Sequence, residues 1–499
     1  MIDPIELQVI TGALRSACEE MGALLIRSAH SPNIKERRDA STGLFDARGQ
    51  MIMQAAHIPV HLGAMPDAVA AVLGEDHRPG RPWILNDPFA GGTHLPDITV
   101  ITPILADGDP GPLLGFAASR AHHADVGGRL PGSMPADSRT LEEEGLVISP
   151  RPLDGRAIEE IVAQMRQPHE RRADLRAQLA ANRAGALRLR ELARRLGPER
   201  LREAGDAVLD YAERRTRACL AALPDGPREA VDVLEAIEGD LELRLRATLQ
   251  GERLLLDFTG TAPQHGGNLN CPLPVTRSAC YFALRVLTDP DIPPCAGAYR
   301  PVEIIAPAGC ILNALQGAAG APAVAAGNVE TSSRVADLVL AAFGRALGQG
   351  TMNNLTLGNE RFSYYETLGG GQGACADADG PSGVHVAMSN TLNTPVEALE
   401  RELPLRVLRY GLRRGSGGHG AHRGGDGVVR EIQALEDMTF SLIGERRRHP
   451  PPGAHGGGPG APGRDLLDGR ELPGKVTGAL RPGQRLCVET PGGGGFGDA

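Results

Sequence analysis

Apolar residues recur at helical spacing close to the amino terminus, which predicts a helix with one buried face. Asp3 and Pro4 precede this pattern; Asp is a favoured N-cap, and Pro suits the first helical position. Glu6 is placed to complete a capping box, and His30-Ser31-Pro32 predicts the end of the helix. The apolar positions of this helix are Ile10, Leu14, Ala17, Met21, Leu24 and Leu25.

A second helical pattern runs from Ala157 to Leu223 and is rich in Arg and Glu. Gly197-Pro198 interrupts it, because this dipeptide breaks helices. We expect a helical hairpin or arm with a solvated charged face, and we assign it no chemistry. Its predicted buried positions are Leu175, Leu179, Leu187, Leu192, Leu196, Leu201, Val208 and Tyr211.

Alternating apolar and polar residues predict strands on both sides of this helical segment. Residues 241–246 alternate cleanly, and a turn leads to a second apolar strand at 254–258. Ala47-Arg48-Gly49-Gln50 predicts a turn between two earlier strands. Further helices are expected at Ser278–Leu287 and Ser332–Leu347 from their apolar spacing.

The chain has 499 residues, and single hydrophobic cores stop growing at roughly 250–300 residues. We therefore expect a mixed α/β (α+β) fold with several lobes. The predicted lobes are 1–150, which carries the candidate metal ligands, the helical segment 151–228, and a mixed lobe 229–499. The glycine-rich tail, Thr490–Asp498, is expected to be flexible unless it docks.

Composition excludes several classes of function. The net charge of -9 and the aromatic content of 3% argue against a nucleic-acid binder, which needs a basic surplus and stacking platforms. The eight cysteines include no Cys-x-x-Cys pair, so neither a disulfide framework nor a zinc ribbon is expected. No apolar run approaches the roughly 20 residues that span a bilayer, and the start lacks signal-peptide features. The simplest interpretation is a cytoplasmic protein.

Two histidine and aspartate clusters carry the candidate chemistry. His94-x-x-Asp97 lies in a glycine-containing stretch, and His122 follows a strand-like segment. Asp39, nearer the amino terminus, supplies a fourth ligand. A His/Asp set without thiolates is typical of a catalytic zinc, manganese or iron site. The alternative is that such short spacings arise by chance and form surface hydrogen bonds.

Periodicity does not decide between His122 and His123. On a strand the two side chains point to opposite faces, so only one of them joins the site. Asp125 is a candidate for orienting a metal-bound imidazole. His57 and His61 are four residues apart, but Pro59 between them disfavours a helix, so we interpret them as hydrogen-bonded loop or core histidines.

A near match to a phosphate-binding loop occurs at Gly469-x-x-x-x-Gly474-Lys475. Val476 replaces the hydroxyl that holds magnesium, and Pro473 lies inside the loop, so we interpret this as a strand-turn. We predict no nucleotide or other organic cofactor site in this chain. No Gly-x-Ser-x-Gly motif is present, which disfavours an α/β-type serine hydrolase.

The chain closely resembles the hydantoinase B / 5-oxoprolinase family along essentially its whole length. This family includes the large subunits of acetone and acetophenone carboxylases. The motifs that carry the resemblance are SPNIKERRD (31–39), HIPVHLG (57–63), NDPFAGGTHLPD (86–97), HHADVGG (122–128), GNLNCP (267–272), GNVETS (327–332), NTLNTPVE (390–397), RRGSGG (413–418), RGGDG (423–427) and TPGGGGFGD (490–498).

The resemblance implies a division of labour between two polypeptides. A hydantoinase A-type partner with an actin-like ATPase fold phosphorylates a hydantoin, 5-oxoproline or other lactam, and the hydantoinase B-type polypeptide performs the metal-assisted hydrolysis. It implies a divalent metal, zinc before manganese or iron, held by residues matching Asp39, His94, Asp97 and His122, with His123 as the fallback. It also implies a heteromer of dimerised pairs, in which we expect the tail to be exposed at a subunit interface.

Two questions remain open on the sequence alone. Our own hypothesis is that Arg38, Arg120 or backbone amides of the glycine loops hold the phosphate of the activated substrate. The main rival function is the large subunit of an ATP-dependent ketone carboxylase. A second rival is a non-catalytic scaffold for the ATPase subunit.

Overall fold

A computed structural model describes residues 2–56, 58–108, 111–317 and 320–499. Helices and strands are mixed along the chain and form several sheets, which confirms the predicted α+β, multi-lobed fold class. The largest core contains Leu14, Leu209 and Val339, one from each predicted lobe. The boundaries of those lobes therefore stay a prediction.

The first helix forms as its cap predicts. Asp3 Oδ1 accepts hydrogen bonds from the backbone N–H groups of Ile5 and Glu6 at 2.9 and 3.1 Å. The Glu6 carboxylate pairs with Arg200 at 2.6 Å and does not complete a capping box. The α-helices are α1 (Pro4–Ser28), α2 (Pro32–Lys35), α3 (Met65–Ala70), α4 (Leu141–Glu144), α5 (Gly155–Val162), α6 (Pro168–Leu196), α7 (Pro198–Ala221), α8 (Leu273–Leu287), α9 (Ser332–Ala342) and α10 (Val396–Glu402).

The predicted helical hairpin is present as α6 and α7, with the break at Gly197, whose φ is +85°. It is not a projecting arm, because α6 packs across the sheet that carries the candidate metal ligands. Gln178 Nε2 donates to the carbonyl of Ile98 at 3.0 Å, and Asn182 Nδ2 donates to that of Val100 at 2.9 Å. These buried amides fix α6 to the sheet face, so the helical segment supports the site.

The strands form four sheets in the described part of the chain, and the largest has the order β2-β1-β5-β4-β3-β6. The predicted turn at 47–50 joins β1 to β2, and β8 and β9 contain the two predicted strands at 241–246 and 254–258. The strands are β1 (Ala40–Asp46), β2 (Met51–Ala56), β3 (Trp83–Leu85), β4 (Asp97–Leu105), β5 (Leu113–His122), β6 (Arg151–Pro152), β7 (Gly226–Ala236), β8 (Gly239–Gln250), β9 (Arg253–Asp257), β10 (Val302–Ile305), β11 (Asn354–Gly358), β12 (Ser363–Glu366), β13 (Leu405–Arg413), β14 (Gly427–Ala434), β15 (Met438–Ile443), β16 (Arg464–Leu467), β17 (Arg470–Leu472), β18 (Lys475–Leu480) and β19 (Arg485–Glu489).

Antiparallel pairing brings distant residues to one end of this six-stranded sheet. Asp97 begins β4 and lies opposite His122, which ends β5. Ala40 begins β1 and lies opposite Ala121, so Asp39 is beside the same strand end. The sheet register therefore gathers the predicted ligands from three separate segments.

Two predicted helices differ at their ends. α8 begins earlier than expected, at Leu273, and α9 ends at Ala342, where Gly344 takes a φ of +70°. A π-helical turn at Gly327–Thr331 precedes α9. The near phosphate-loop consists of Gly469 in the turn before β17, β17 itself and the turn into β18, and the buried ammonium of Lys475 donates to the carbonyl of Gly444 at 3.1 Å.

The glycine-rich tail is docked, which is the alternative that the prediction of flexibility allowed, but the expectation that it is exposed is wrong. Residues 490–495 are buried, and they lie among three other glycine-rich segments at 369–373, 415–427 and 453–460. A Cβ on Gly493 would stand 2.0 Å from the carbonyl oxygen of Gln372, and one on Gly424 would stand 2.0 Å from that of Gly493. Glycine is needed there because backbones touch, and the role of the tail at a subunit interface stays a prediction.

Within the described residues, no helix combines the length and the apolar character needed to cross a bilayer.

Candidate metal centre

Asp97 is the centre of a buried cluster of imidazole and carboxylate groups. Its Oδ2 lies 3.1 Å from His94 Nδ1, and its Oδ1 lies 3.5 Å from His122 Nδ1. Asp39 Oδ2 lies 4.0 Å from the same nitrogen of His122. All four side chains are at most 5% exposed. The structure thus brings the four predicted ligands together.

The loop that carries His94 is held by its own amide and glycine residues. Asn86 Oδ1 accepts from the N–H of Ile148 at 2.6 Å, and its Nδ2 donates to the carbonyl of Leu95 at 2.7 Å. Gly91 takes a φ of +95°, and a Cβ there would meet the carbonyl oxygen of Asp67 at 2.6 Å. This bracing presents His94 and Asp97 to the end of β5.

Several buried imidazole nitrogens in this cluster make no hydrogen bond. Neither ring nitrogen of His94 makes a hydrogen bond among the described residues, and Nε2 of His122 makes none. Leaving a buried polar atom unsatisfied costs about 1–3 kcal/mol, so native proteins rarely do so without a functional reason. The donor atoms of His94, Asp97 and His122 lie within 4.8 Å of one another. Such a set of two nitrogens and carboxylate oxygens fits a divalent zinc, manganese or iron ion.

The charges around Asp97 favour the protonation states that metal ligands need. Burial alone would raise the pKa of Asp97, but His94, His61 and His122 outweigh burial and hold this pKa well below its usual range. Burial lowers the pKa of His122, and this effect exceeds the opposing pull of Asp97 and Asp39. An ionised carboxylate therefore faces a neutral imidazole, as ligation requires.

His61 adds a contact that the sequence did not predict. Its Nε2 lies 3.3 Å from Asp97 Oδ2, and its Nδ1 lies 2.9 Å from Ser41 Oγ. Thr93 donates its hydroxyl to the same Asp97 oxygen at 2.6 Å. His61 is thus a hydrogen-bonded, buried histidine, as interpreted, but one that orients the central carboxylate. No sequence pattern indicated this contact, because His61 and Asp97 are far apart along the chain. His57 lies outside the described residues.

Tyr365 is a second residue that sequence reasoning missed. Its ring stacks on the imidazole of His122, with centroids 4.5 Å apart and planes 11° apart. The guanidinium of Arg37 lies 4.7 Å from the centre of the Tyr365 ring and donates to the Tyr365 carbonyl at 2.8 Å. The Tyr365 hydroxyl donates to Asn354 Oδ1 at 2.6 Å. His122 is therefore packed in a fixed plane.

His123, the fallback ligand, points away from the cluster. Its Nε2 lies 3.0 Å from Gln178 Oε1 on α6, on the opposite face of the sheet. Burial lowers the pKa of His123 to about 4 despite the opposing charge of Asp174. Strand alternation thus separates the neighbouring histidines, and His122 is the one placed beside Asp97.

Asp125 shapes a turn and is not placed to orient an imidazole. Its Oδ1 accepts from the N–H of Gly127 at 2.7 Å, and its Oδ2 accepts from the N–H of Gly132 at 2.8 Å. Arg166 Nη1 lies 3.2 Å from Oδ2. These donors bind both oxygens of the Asp125 carboxylate.

Arg38 and Arg120, the two arginines predicted to hold the phosphate, differ in their exposure to solvent. Arg38 is exposed and takes a φ of +58°, whereas the preceding Arg37 turns inward. Arg120 is buried; its Nε donates to Thr99 Oγ1 at 2.7 Å and its Nη2 donates to the Gly91 carbonyl at 2.9 Å. Burial lowers the pKa of Arg120 to about 10 against the charge of Asp97. Arg120 braces the His94 loop.

Comparison with known proteins identifies relatives along the whole chain. The profile of the family Hydantoinase B/oxoprolinase matches residues 3–499. The chain is 39% identical to "5-oxoprolinase 1" of Arabidopsis thaliana, over 99% of this chain and 42% of that protein. It is 30% identical to a putative D-/L-hydantoinase polypeptide of Pseudomonas sp. (strain NS671), over 100% of this chain and 90% of that one. The chain thus spans about two fifths of the 5-oxoprolinase and nearly all of the hydantoinase polypeptide.

Solved structures share the fold. The ATP-dependent caprolactamase from Pseudomonas jessenii superimposes with a TM-score of 0.91 at 28% identity, covering 100% of this chain and 92% of that one. Nucleotide-free acetone carboxylase superimposes with a TM-score of 0.89, covering 99% of this chain and 76% of that one. Its 18% identity establishes likeness of fold alone.

Proposed function

We propose, from the premise that this chain belongs to the hydantoinase B/oxoprolinase family, that it is the hydrolytic subunit of an ATP-dependent cyclic-amide hydrolase. The substrate is a hydantoin, 5-oxoproline or another lactam. The observation that carries this proposal is the buried group of His94, Asp97 and His122, whose imidazoles have nitrogens that make no hydrogen bond, with Asp39 4.0 Å from His122.

Hydrolysis requires activation of the substrate, because an unstrained lactam is a poor electrophile. Phosphorylating its oxygen creates a much better leaving group, and this step belongs to an ATPase partner. When bound, a divalent metal supplies Lewis acidity and a water of lowered pKa. His94, Asp97, His122 and Asp39 would hold it.

Residues around the cluster fix the orientation of the side chains that would hold the metal. Thr93 and His61 hold one oxygen of Asp97 at 2.6 and 3.3 Å, so the carboxylate has a fixed orientation. Tyr365 fixes the plane of His122. Burial of all four ligands excludes bulk water, and electrostatic interactions are stronger in such a site than in water.

A separate ATPase subunit of the hydantoinase A type is the proposed partner. The relatives named 5-oxoprolinase are longer than this chain, which matches 42% of one and 40% of another. We propose that the ATPase lies in the remaining length of those relatives, and that a second polypeptide supplies it here. The expected assembly is a heteromer.

Elemental analysis of the purified chain tests the proposal. We expect near-stoichiometric zinc, manganese or iron in the wild type and its loss in both His94→Ala and Asp97→Ala. His449→Ala serves as the matched control and should retain the metal, because His449 is a partly exposed histidine that pairs with Asp240. A folded wild type that takes up no metal even after incubation with these ions would overturn the mechanism.

The rival ketone carboxylase function rests on the likeness of fold to acetone carboxylase. Assays of the chain with an A-type ATPase, ATP and a lactam separate the two. Turnover without bicarbonate supports the hydrolase, whereas bicarbonate-dependent consumption of a ketone supports the carboxylase. In the same assay, unchanged turnover of Arg38→Gln and Arg120→Gln would refute their phosphate-holding role.

A further inference from the structure

A cavity of about 500 Å³ lies at the surface, between the carboxyl end of α1 and the amino-terminal half of α6. This volume is within the roughly 300–1,000 Å³ typical of small-molecule sites. Three alanines of α6 leave the space, and no Asp or Glu side chain lines the cavity in the described chain. Its polar wall is formed by Ser28, His30, His169, Arg172 and Arg176.

The nitrogen atoms of this wall have unused hydrogen-bonding capacity. Arg176 makes no hydrogen bond or salt bridge with another described residue. The rings of His30 and His169 contact each other edge to face, with centroids 6.2 Å apart, and neither ring is hydrogen-bonded in the described structure. Arg172 donates to Glu159 through Nε and Nη2, at 2.7 and 2.5 Å, so its Nη1 is available.

A ligand in the cavity can reach all of these groups. His30, His169 and Arg176 are exposed, and the side chain of Arg172 is 27% exposed. Their nitrogens therefore differ from those of the metal centre, which are enclosed by protein. An open wall of N–H donors suits a ligand that arrives from solvent and carries several acceptor oxygens.

The charge balance at the cavity favours an anion. The nearest carboxylates are paired, since Glu159 binds Arg172 and the buried Asp174 lies 3.8 Å from Arg171. Arg176 then carries the charge that no ion pair among the described residues balances. A local excess of positive charge attracts an anion and repels a metal ion, although the whole chain has a net charge of -9.

Rigid elements carry both sides of the cavity. The backbone N–H groups of His30 and Ser31 donate to the carboxylate of Asp174 on α6, at 2.8 and 3.1 Å. α6 is itself fixed to the sheet by Gln178 and Asn182. Donors on such elements are held in place before the ligand arrives, which reduces the entropy lost on binding.

We propose that this cavity binds a phosphate group, either free or esterified to a small organic molecule. The guanidinium groups of Arg172 and Arg176 and the N–H groups of His30 and His169 donate to its oxygens. The planar fork of arginine matches the geometry of phosphate oxygens. None of the candidate metal ligands lines the cavity, so this is a second site and does not depend on the proposed function.

Titration calorimetry of the full chain with inorganic phosphate and with glycerol 3-phosphate tests the proposal. We expect saturable binding, and glycerol without the phosphate should not bind. Tighter binding of glycerol 3-phosphate would identify an ester as the ligand, and tighter binding of inorganic phosphate would identify the free anion. Arg176→Gln should weaken binding about tenfold or more, because it removes a charge-assisted hydrogen bond. Replacing both His30 and His169 by Ala should weaken binding by a similar factor.

Arg183→Gln is the matched control and should bind phosphate like the wild type. Arg183 is an exposed arginine of α6 that does not line the cavity. Equal weakening in Arg176→Gln and Arg183→Gln would indicate diffuse attraction to the helix surface and would overturn the proposal, as would the absence of saturable binding by the wild type.

A second control separates the cavity from the metal centre. His94→Ala should lose metal but bind phosphate as tightly as the wild type. Loss of phosphate binding in the folded His94→Ala chain would place the anion at the metal centre and refute the cavity as its site. Failure of the proposed function would instead appear as absence of metal or of ATP-dependent turnover, with phosphate binding intact.

Discussion

Two buried clusters of charged groups lie in this protein and differ in how their charges are satisfied. The first is a network of arginine, lysine and carboxylate side chains that ties β7, α9 and β18 to the segment after β15. Each of its carboxylates is hydrogen-bonded by a guanidinium or an ammonium group. Its members are Asp232, Arg334, Asp337, Glu445, Arg446 and Lys475.

The second cluster, around Asp97, contains no guanidinium or ammonium partner for its carboxylates in the described ion pairs. Its carboxylates face imidazoles instead, and His94 makes no hydrogen bond through either nitrogen. Burial of charge is common to both clusters, so burial does not identify a site. The unpaired imidazole nitrogens do, because a neutral imidazole can donate a lone pair to a metal ion, whereas the Nε–H groups of Arg334 and Arg446, which also lack hydrogen bonds, cannot.

Breaking the first cluster should give the largest loss of stability. Arg334→Leu would leave Glu445 and Asp232 with less compensation inside the protein, since Arg334 lies 3.0 and 3.1 Å from them. Removing one partner of a buried ion pair costs about 3–5 kcal/mol. Urea denaturation measures the loss, and the folded fraction should keep its metal.

The matched control is Arg78→Ala, since Arg78 and Asp76 form an ion pair with both side chains 67% exposed. We expect no measurable change in the free energy of unfolding there. Equal effects of the two substitutions would contradict the assignment of the buried network as a structural tie.

His123 should give the next largest effect, and only at acid pH. Its pKa is lowered by burial to about 4, below its usual value, so the folded state favours the neutral ring. The stability from this group is complete above the unfolded pKa of about 6.5 and is lost as pH falls towards 4, by about 3 kcal/mol in all. We expect the free energy of unfolding to differ less between pH 7.5 and pH 4.5 in His123→Gln than in the wild type, as measured by denaturation at the two pH values.

The exposed His449→Gln is the control for this pH effect, and its curve should follow that of the wild type. Retention of metal by His123→Gln would further separate this histidine from its neighbour His122. Loss of metal would instead place His123 in the site.

Removing the metal should lower the free energy of unfolding of the protein by an amount similar to, or smaller than, the pH effect of His123. A ligand that binds only the folded state at a hundred times its Kd stabilises by about 2.7 kcal/mol. Chelation should therefore lower the Tm of the wild type and of variants in the arginine network. The Tm of Asp97→Ala should not respond, and a response equal to that of the wild type would argue against the site.

Sequence patterns predicted the elements whose signals are local. The Asp3 cap, the break at Gly197 and the strands at 241–246 and 254–258 depend on neighbouring residues. Four ligand candidates came from short motifs and from a family resemblance. The sheet register places Asp97 opposite His122, and the segments just before β4 and β1 bring His94 and Asp39 beside them. Which of them bind metal stays a prediction.

Contacts made across the fold could not be predicted in this way. His61 and Tyr365 reach the cluster through sheet pairing and packing between distant segments, and no spacing encodes those contacts. The tail was predicted to be exposed because glycine suggests flexibility. Its glycines are instead required by backbones that approach too closely for a side chain, and that proximity is visible only in three dimensions.

Tyr365 packs against the second cluster, and its hydroxyl should give the smallest effect. The ring stacks on His122, while the hydroxyl donates to Asn354, whose amide donates to Glu330 at 2.9 Å. Tyr365→Phe keeps the ring and removes one hydrogen bond, so unfolding should become easier by about 1 kcal/mol. Competition with a chelator should show metal retention close to that of the wild type.

Removing the stacked ring should separate its role from that of the hydroxyl. Tyr365→Leu should weaken metal retention about tenfold, as loss of groups that orient a ligand does. Tyr364→Phe, on the neighbouring position of β12 and in a different core cluster, is the control and should leave metal retention unchanged. Equal retention in Tyr365→Phe and Tyr365→Leu would show that stacking does not position His122.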